Sequence, residues 1–133
     1  MTGQGRILPR EDARRILLVE DDRFLRRVCE TSLQQRGLAV ASATNGEDGL
    51  RLAKEQPFDL ILLDWLMPRM PGIEVLADLK ADAATREIPV LILSYSPREE
   101  DRQRALDMGA TGYFVKANLS LKALCGEIER LLS

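Results

Sequence analysis

Three short runs in this chain contain only branched apolar residues: Ile16-Leu17-Leu18-Val19, Leu60-Ile61-Leu62-Leu63 and Val90-Leu91-Ile92-Leu93. A run of that kind has no wet face, so as a strand it must be covered on both sides. That is the mark of a parallel sheet. Parallel neighbours need long crossovers, and helical apolar spacing fills the intervals between the runs. The pattern predicts strands near 15–20, 38–43, 59–63, 89–94 and 112–115. Helices are predicted near 23–36, 46–55, 72–81, 98–108 and 119–132. Regular alternation of this type implies right-handed crossovers and a doubly wound α/β fold.

Punctuation agrees with these limits. Asp22 is placed to cap the first helix, Gly37 to end it, Pro97 to open the fourth and Gly109 to close it. Between Asp64 and Gly72, two prolines forbid regular structure. The segment 98–104 has no apolar residue, so the fourth helix is expected to be held loosely. At 133 residues the chain is one domain. The reading is a disordered polar tail over 1–13, followed by a folded unit over 14–133.

Net charge is only −2, with no basic block, which argues against direct nucleic-acid binding. No run is long and apolar enough to span a bilayer and no leader is visible, so a cytoplasmic, non-membrane protein is expected. Cys29 and Cys125 sit inside helical patterns and read as reduced core residues. The chain has no histidine. That removes Ser-His and Cys-His catalysis and makes most zinc sites improbable. Any phosphohistidine in the chemistry must belong to another protein.

The ends of the apolar runs carry the chemistry. Glu20 and Asp21 close the first, Asp64 the next, Ser94 the one after, and Lys116 follows the segment Tyr113-Phe114-Val115. Each has an ordinary explanation: helix capping for the acids, a turn hydroxyl for Ser94, a rim lysine for Lys116. If the runs are central parallel strands, however, all five reach the same sheet edge, where ligands bind in open α/β sheets. Three crowded acids resist ionising until a hard cation joins them, and oxygen-only ligands suit Mg²⁺. A carboxylate there can attack phosphorus, with Ser94 and Lys116 binding phosphate oxygens.

With these residues in place, residues 15–132 resemble the receiver domain of bacterial two-component response regulators, of the single-domain, chemotaxis-regulator-like kind. The resemblance rests on Leu-Leu-Val-Glu-Asp-Asp, Leu-Leu-Asp-Trp-Leu-Met-Pro-Arg-Met-Pro-Gly, the Ser94 strand end and Gly-Ala-Thr-Gly-Tyr-Phe-Val-Lys. It implies a flavodoxin-like fold of five parallel strands in the order 2-1-3-4-5 with five helices. It further implies Asp64 as phospho-acceptor, with Mg²⁺ held by Glu20, Asp21, Asp64 and the Leu66 backbone carbonyl. Ser94 matches the switch hydroxyl, Tyr113 the switch aromatic and Lys116 the phosphate-binding lysine.

The implied function is a signalling switch that catalyses only its own phosphorylation and dephosphorylation. The donor is a sensor histidine kinase or histidine phosphotransfer protein. Phosphorylation would shift the surface of the fourth helix, fifth strand and fifth helix toward an unidentified downstream protein, the domain acting as a monomer or weak dimer. With nothing after Ser133, the chain either works through partners or is part of a longer one.

Three positions depart from the family pattern. Ala117 follows Lys116 where receivers usually carry a cis proline, which raises the question of how far Lys116 reaches. Tyr95 stands where a small residue is common, and Leu66 where many receivers place a polar side chain. The last two point to poor water access and a long-lived phosphoryl group. The alternative function is a receiver-fold interaction module that phosphate does not switch. An aspartyl phosphohydrolase lacks a substrate cap, and a flavin-binding flavodoxin would need Gly, Ser or Thr donors after the first strand.

Overall fold

The computed structural model describes residues 12–133. The tail read over 1–13 therefore lies almost wholly outside the described residues. The described chain runs β1 (Arg15–Val19), α1 (Arg23–Gln34), β2 (Ala39–Ala43), α2 (Gly46–Glu55), β3 (Leu60–Asp64) and α3 (Gly72–Ala81). It continues through β4 (Val90–Ser94), α4 (Glu99–Asp107), β5 (Gly112–Val115), a 3₁₀ turn (Lys116–Asn118) and α5 (Leu121–Leu132). All strand pairs are parallel, in the order β2-β1-β3-β4-β5. This is the expected flavodoxin-like order.

The wholly apolar strands divide by parity. Ile16, Leu18, Leu60, Leu62, Leu91 and Leu93 join Cys29 and Leu33 of α1 and Leu124, Cys125 and Ile128 of α5. The alternate residues Leu17, Val19, Ile61, Leu63 and Ile92 join Ala53 of α2, Val75, Leu76 and Leu79 of α3, and Ala105 of α4. Fully burying each such side chain contributes about 1.5–3 kcal/mol, so the central strands dominate stability. They are also the rigid base from which the site projects. Both cysteines are buried and unpaired.

Asp22 caps α1, its carboxylate accepting the Leu25 N–H at 3.1 Å. Beyond Gln34 the chain reverses at Gly37, whose φ of 83° suits glycine. Its N–H reaches the Gln34 carbonyl, and the next N–H reaches Leu33, both satisfying open helix-end carbonyls. Pro97 differs from expectation. It precedes Arg98, the N-cap of α4, so it lies outside the first turn. The last helix also starts later than expected, at Leu121, because the 3₁₀ turn intervenes and Ser120 caps α5 by accepting the Ala123 N–H at 3.1 Å. Within α4 only Ala105 is buried.

Candidate functional site

Strand register assembles the site. Val19 pairs with Leu63, Asp64 with Leu93, and Ser94 with Val115. The residues at or just after the carboxyl ends of β1, β3, β4 and β5 therefore meet at one level. Glu20 keeps a strand-like bond, its N–H on the Ala43 carbonyl at 3.0 Å. The loop after Asp64 is tied at both ends: Trp65 N–H donates to the Leu93 carbonyl and Gly72 N–H to the Trp65 carbonyl, each at 2.9 Å.

Glu20, Asp21 and Asp64 each offer a carboxylate oxygen, and these three atoms lie within 4.8 Å of one another. Glu20 and Asp64 are buried, whereas Asp21 is exposed at the mouth. Lys116 Nζ lies 2.8 Å from Asp64 Oδ1. It donates to Glu20 Oε2 at 3.1 Å and stands 3.0 Å from Oε1. The Lys116–Ala117 bond is trans, and the 3₁₀ turn still delivers the ammonium to both acids. The missing proline costs Lys116 none of its reach.

The electrostatics follow from burial and crowding. Burial pushes the Asp64 carboxyl up to about 7; the Asp21 and Glu20 carboxylates add to this, and Lys116 opposes it. Burial works against the Lys116 charge, but hydrogen bonds to Asp64 and Glu20 outweigh it and hold the ammonium above the ordinary lysine range. Asp64 Oδ1 also accepts the Leu66 N–H at 3.3 Å. Asp64 Oδ2 is buried without a hydrogen-bond partner, and Glu20 Oε1 has only the charge of the Lys116 ammonium beside it. Orphaned buried oxygens are costly. Three carboxyl groups face one ammonium, an oxygen-rich and cation-poor cluster that suits a divalent cation with oxygen ligands.

Ser94 is buried, and its Oγ accepts the Ser96 N–H at 3.1 Å. Tyr113 is half-buried and donates its hydroxyl to the Ser96 carbonyl at 2.8 Å. Glu20, Asp21, Asp64, Ser94 and Lys116 thus share one end of the sheet, and Tyr113, paired with Ile92 further down, reaches the loop there through its hydroxyl. Of the other two departures, Tyr95 places its ring centroid 4.8 Å from Lys116 Nζ, a cation–π contact that covers the ammonium. Leu66 is 71% exposed.

Sequence reasoning missed three features. Arg26 Nη1 donates to the Glu20 and Asp21 carbonyls at 3.1 and 3.3 Å, bracing the acidic turn from α1. Phe24, at 79% exposure, joins Leu66 and Tyr95 as the exposed large apolar side chains of the described residues. Ser96 gathers several bonds at once. Only an arginine one turn into the helix, and an apolar residue out of phase with the buried stripe, were legible beforehand.

The sequence matches the family described as Response regulator receiver domain over residues 16–129. It is 38% identical over 120 residues to the phosphate regulon transcriptional regulatory protein PhoB of Escherichia coli. That match covers 90% of this chain and 52% of PhoB, so the chain spans about half that relative's length. The fold superposes on the chemotaxis response regulator CheY4 of Vibrio cholerae with a TM-score of 0.83 and 28% identity, covering 90% of this chain and 98% of CheY4. It is equally close to the receiver domain of the sensor histidine kinase PA1611 from Pseudomonas aeruginosa PAO1, at TM-score 0.82 and 28% identity, covering 91% and 99% of the two chains. That structure has a magnesium ion coordinated in its active-site cleft. No helix among the described residues is long and apolar enough to cross a membrane. Family match, strand order and acidic sheet edge agree: the chain belongs to the receiver domains of two-component response regulators.

Proposed function

We propose that Asp64 takes a phosphoryl group from a phosphohistidine of a sensor histidine kinase or histidine phosphotransfer protein, with Mg²⁺ as cofactor, and that this switches the α4–β5–α5 surface toward a partner. The observation that carries the reading is the carboxylate cluster with Lys116 2.8 Å from Asp64 and an unpartnered Asp64 Oδ2 beside it. Glu20, Asp21, Asp64 and the Leu66 carbonyl would hold the ion. Bound there, Mg²⁺ supplies neutralisation of the charge on the transferring phosphoryl oxygens.

The chain's own groups do the rest. An Asp64 oxygen attacks phosphorus in line as the bond to the donor nitrogen breaks and its electron pair returns to the imidazole. Burial, with the neighbouring acids adding to it, lifts the Asp64 proton affinity, so the carboxylate is a competent nucleophile only while cationic groups hold it ionised. Lys116 already engages one Asp64 oxygen, which puts its ammonium beside the atom that would carry the phosphoryl group. The Ser94 hydroxyl gains an acceptor that exists only after transfer. The added charge and acceptor oxygens thereby bias the loop after β4.

The test is incubation with acetyl phosphate and Mg²⁺, read by intact mass. A gain of one phosphoryl group that disappears with EDTA or in Asp64→Asn supports the proposal. No gain, or an equal gain in Asp64→Asn, refutes it and favours an interaction module that phosphate does not switch.

A further inference from the structure

Ser96, in the loop between β4 and α4, holds four hydrogen bonds. Its N–H donates to Ser94 Oγ at 3.1 Å, and its carbonyl accepts the Tyr113 hydroxyl at 2.8 Å. Its own hydroxyl donates to the Asp101 carboxylate and accepts the Arg98 N–H at 3.3 Å. One residue therefore touches the proposed phosphate-sensing hydroxyl, the half-buried tyrosine of β5 and the first turn of α4. We propose that Ser96 is the positioning residue whose hydroxyl ties the start of α4 to the loop after Ser94, so that α4 follows the state of that loop, an inference that rests on the phosphoryl reading above.

Helix α4 depends on this link. Its N-cap, Arg98, makes no side-chain cap bond, and of its residues only Ala105 is buried. The Ser96 hydroxyl takes the place of a cap from two residues upstream, satisfying the Arg98 N–H and pinning Asp101 in the first turn. With so little apolar anchorage, one such bond is a large share of what holds the helix start.

The coupling is geometric. When a phosphoryl group on Asp64 draws the Ser94 hydroxyl, the acceptor of the Ser96 N–H moves. The amide, carbonyl and hydroxyl of Ser96 belong to one residue, so they cannot keep all their partners if one is displaced. Asp101 Oδ2 also pairs with the Arg98 guanidinium, whose Nε stands 3.6 Å away. If the serine bond breaks, Asp101 keeps that arginine, an exposed contact inside the first turn that does not tie the helix to the loop.

Ser96→Ala deletes the hydroxyl link and leaves the amide and carbonyl bonds in place. Amide hydrogen exchange over residues 99–104 is followed with and without acetyl phosphate and Mg²⁺, alongside intact mass. The variant is expected to take up one phosphoryl group like the parent. Its α4 amides should exchange about tenfold faster before labelling, the equivalent of one hydrogen bond to a charged group. The further α4 change on labelling should vanish while the region of Tyr113 still responds, and Ser96→Thr should restore the α4 response. Labelled Ser96→Ala with an undiminished α4 response overturns the inference alone, as does a loss of protection spread over the whole domain. Absence of labelling in the parent chain overturns the phospho-acceptor reading and this inference with it.

Discussion

Replacing Asp64 by Asn removes a carboxyl that the fold buries among Glu20, Asp21 and Lys116. In metal-free protein, burial lifts this carboxyl from 3.8 to about 7. A raised value in the folded state means that the native chain holds the proton more tightly than the unfolded chain. Stability therefore falls as pH climbs from about 4 to about 7 and stays low above that. The gap sets an upper bound of about 4 kcal/mol. Because Asp64 titrates together with its neighbours, and Asn leaves Lys116 facing Glu20 alone, a gain on the order of 1–2 kcal/mol is the reasonable expectation for Asp64→Asn at alkaline pH. For a domain of this size that is roughly 3–6 °C in Tm. The assay is thermal unfolding in EDTA, followed by the fluorescence of Trp65, the sole tryptophan and the neighbour of Asp64. The variant should exceed the parent clearly near pH 8 and by much less near pH 5. Mg²⁺ should narrow the difference near pH 8 by stabilising the parent. An Asn variant less stable than the parent at both values, or a gap independent of pH, would refute the reasoning.

Two other outcomes follow from the same geometry. A Cβ at Gly49 would sit 2.7 Å from both methyls of Val19, a stiff residue in a central strand, so Gly49→Ala should cost about 2 kcal/mol in urea unfolding by lifting α2 off β1. With Leu66 unable to orient an attacking water and Tyr95 covering Lys116, the combined Leu66→Asn, Tyr95→Ala variant should lose its phosphoryl group faster than the parent. A half-life equal to or longer than the parent's in a mass-spectrometric time course would exclude that role.

The strands and the residues at their ends were legible because an unbroken run such as Leu60–Leu63 signals burial on both faces locally, and the acid, hydroxyl and lysine punctuate such runs; the strand order came only from the family resemblance. The parity of the runs was not. Leu17 and Leu18 look alike in sequence, yet one packs with α2, α3 and α4 and the other with α1 and α5. The start of α4 was blurred because no side chain of its N-cap, Arg98, marks it, so Pro97 fell outside the first turn, two residues before Glu99. The reach of Lys116 past Ala117 could not be settled from residue types, since it depends on a 3₁₀ turn whose direction is set by β5 below it and α5 beyond. The roles of Arg26 and Ser96 stayed hidden for a related reason, although the arginine itself stood one turn into the helix. Their partners lie on other elements, or at loop positions where any residue supplies the same N–H and carbonyl. Residue pattern dictated which segments became strands and what chemistry capped them, because burial and pleat repeat over a few residues. Only register across β1, β3, β4 and β5, with the 3₁₀ turn after β5, brought Asp64 within 2.8 Å of Lys116, since that distance is a property of the whole packed sheet.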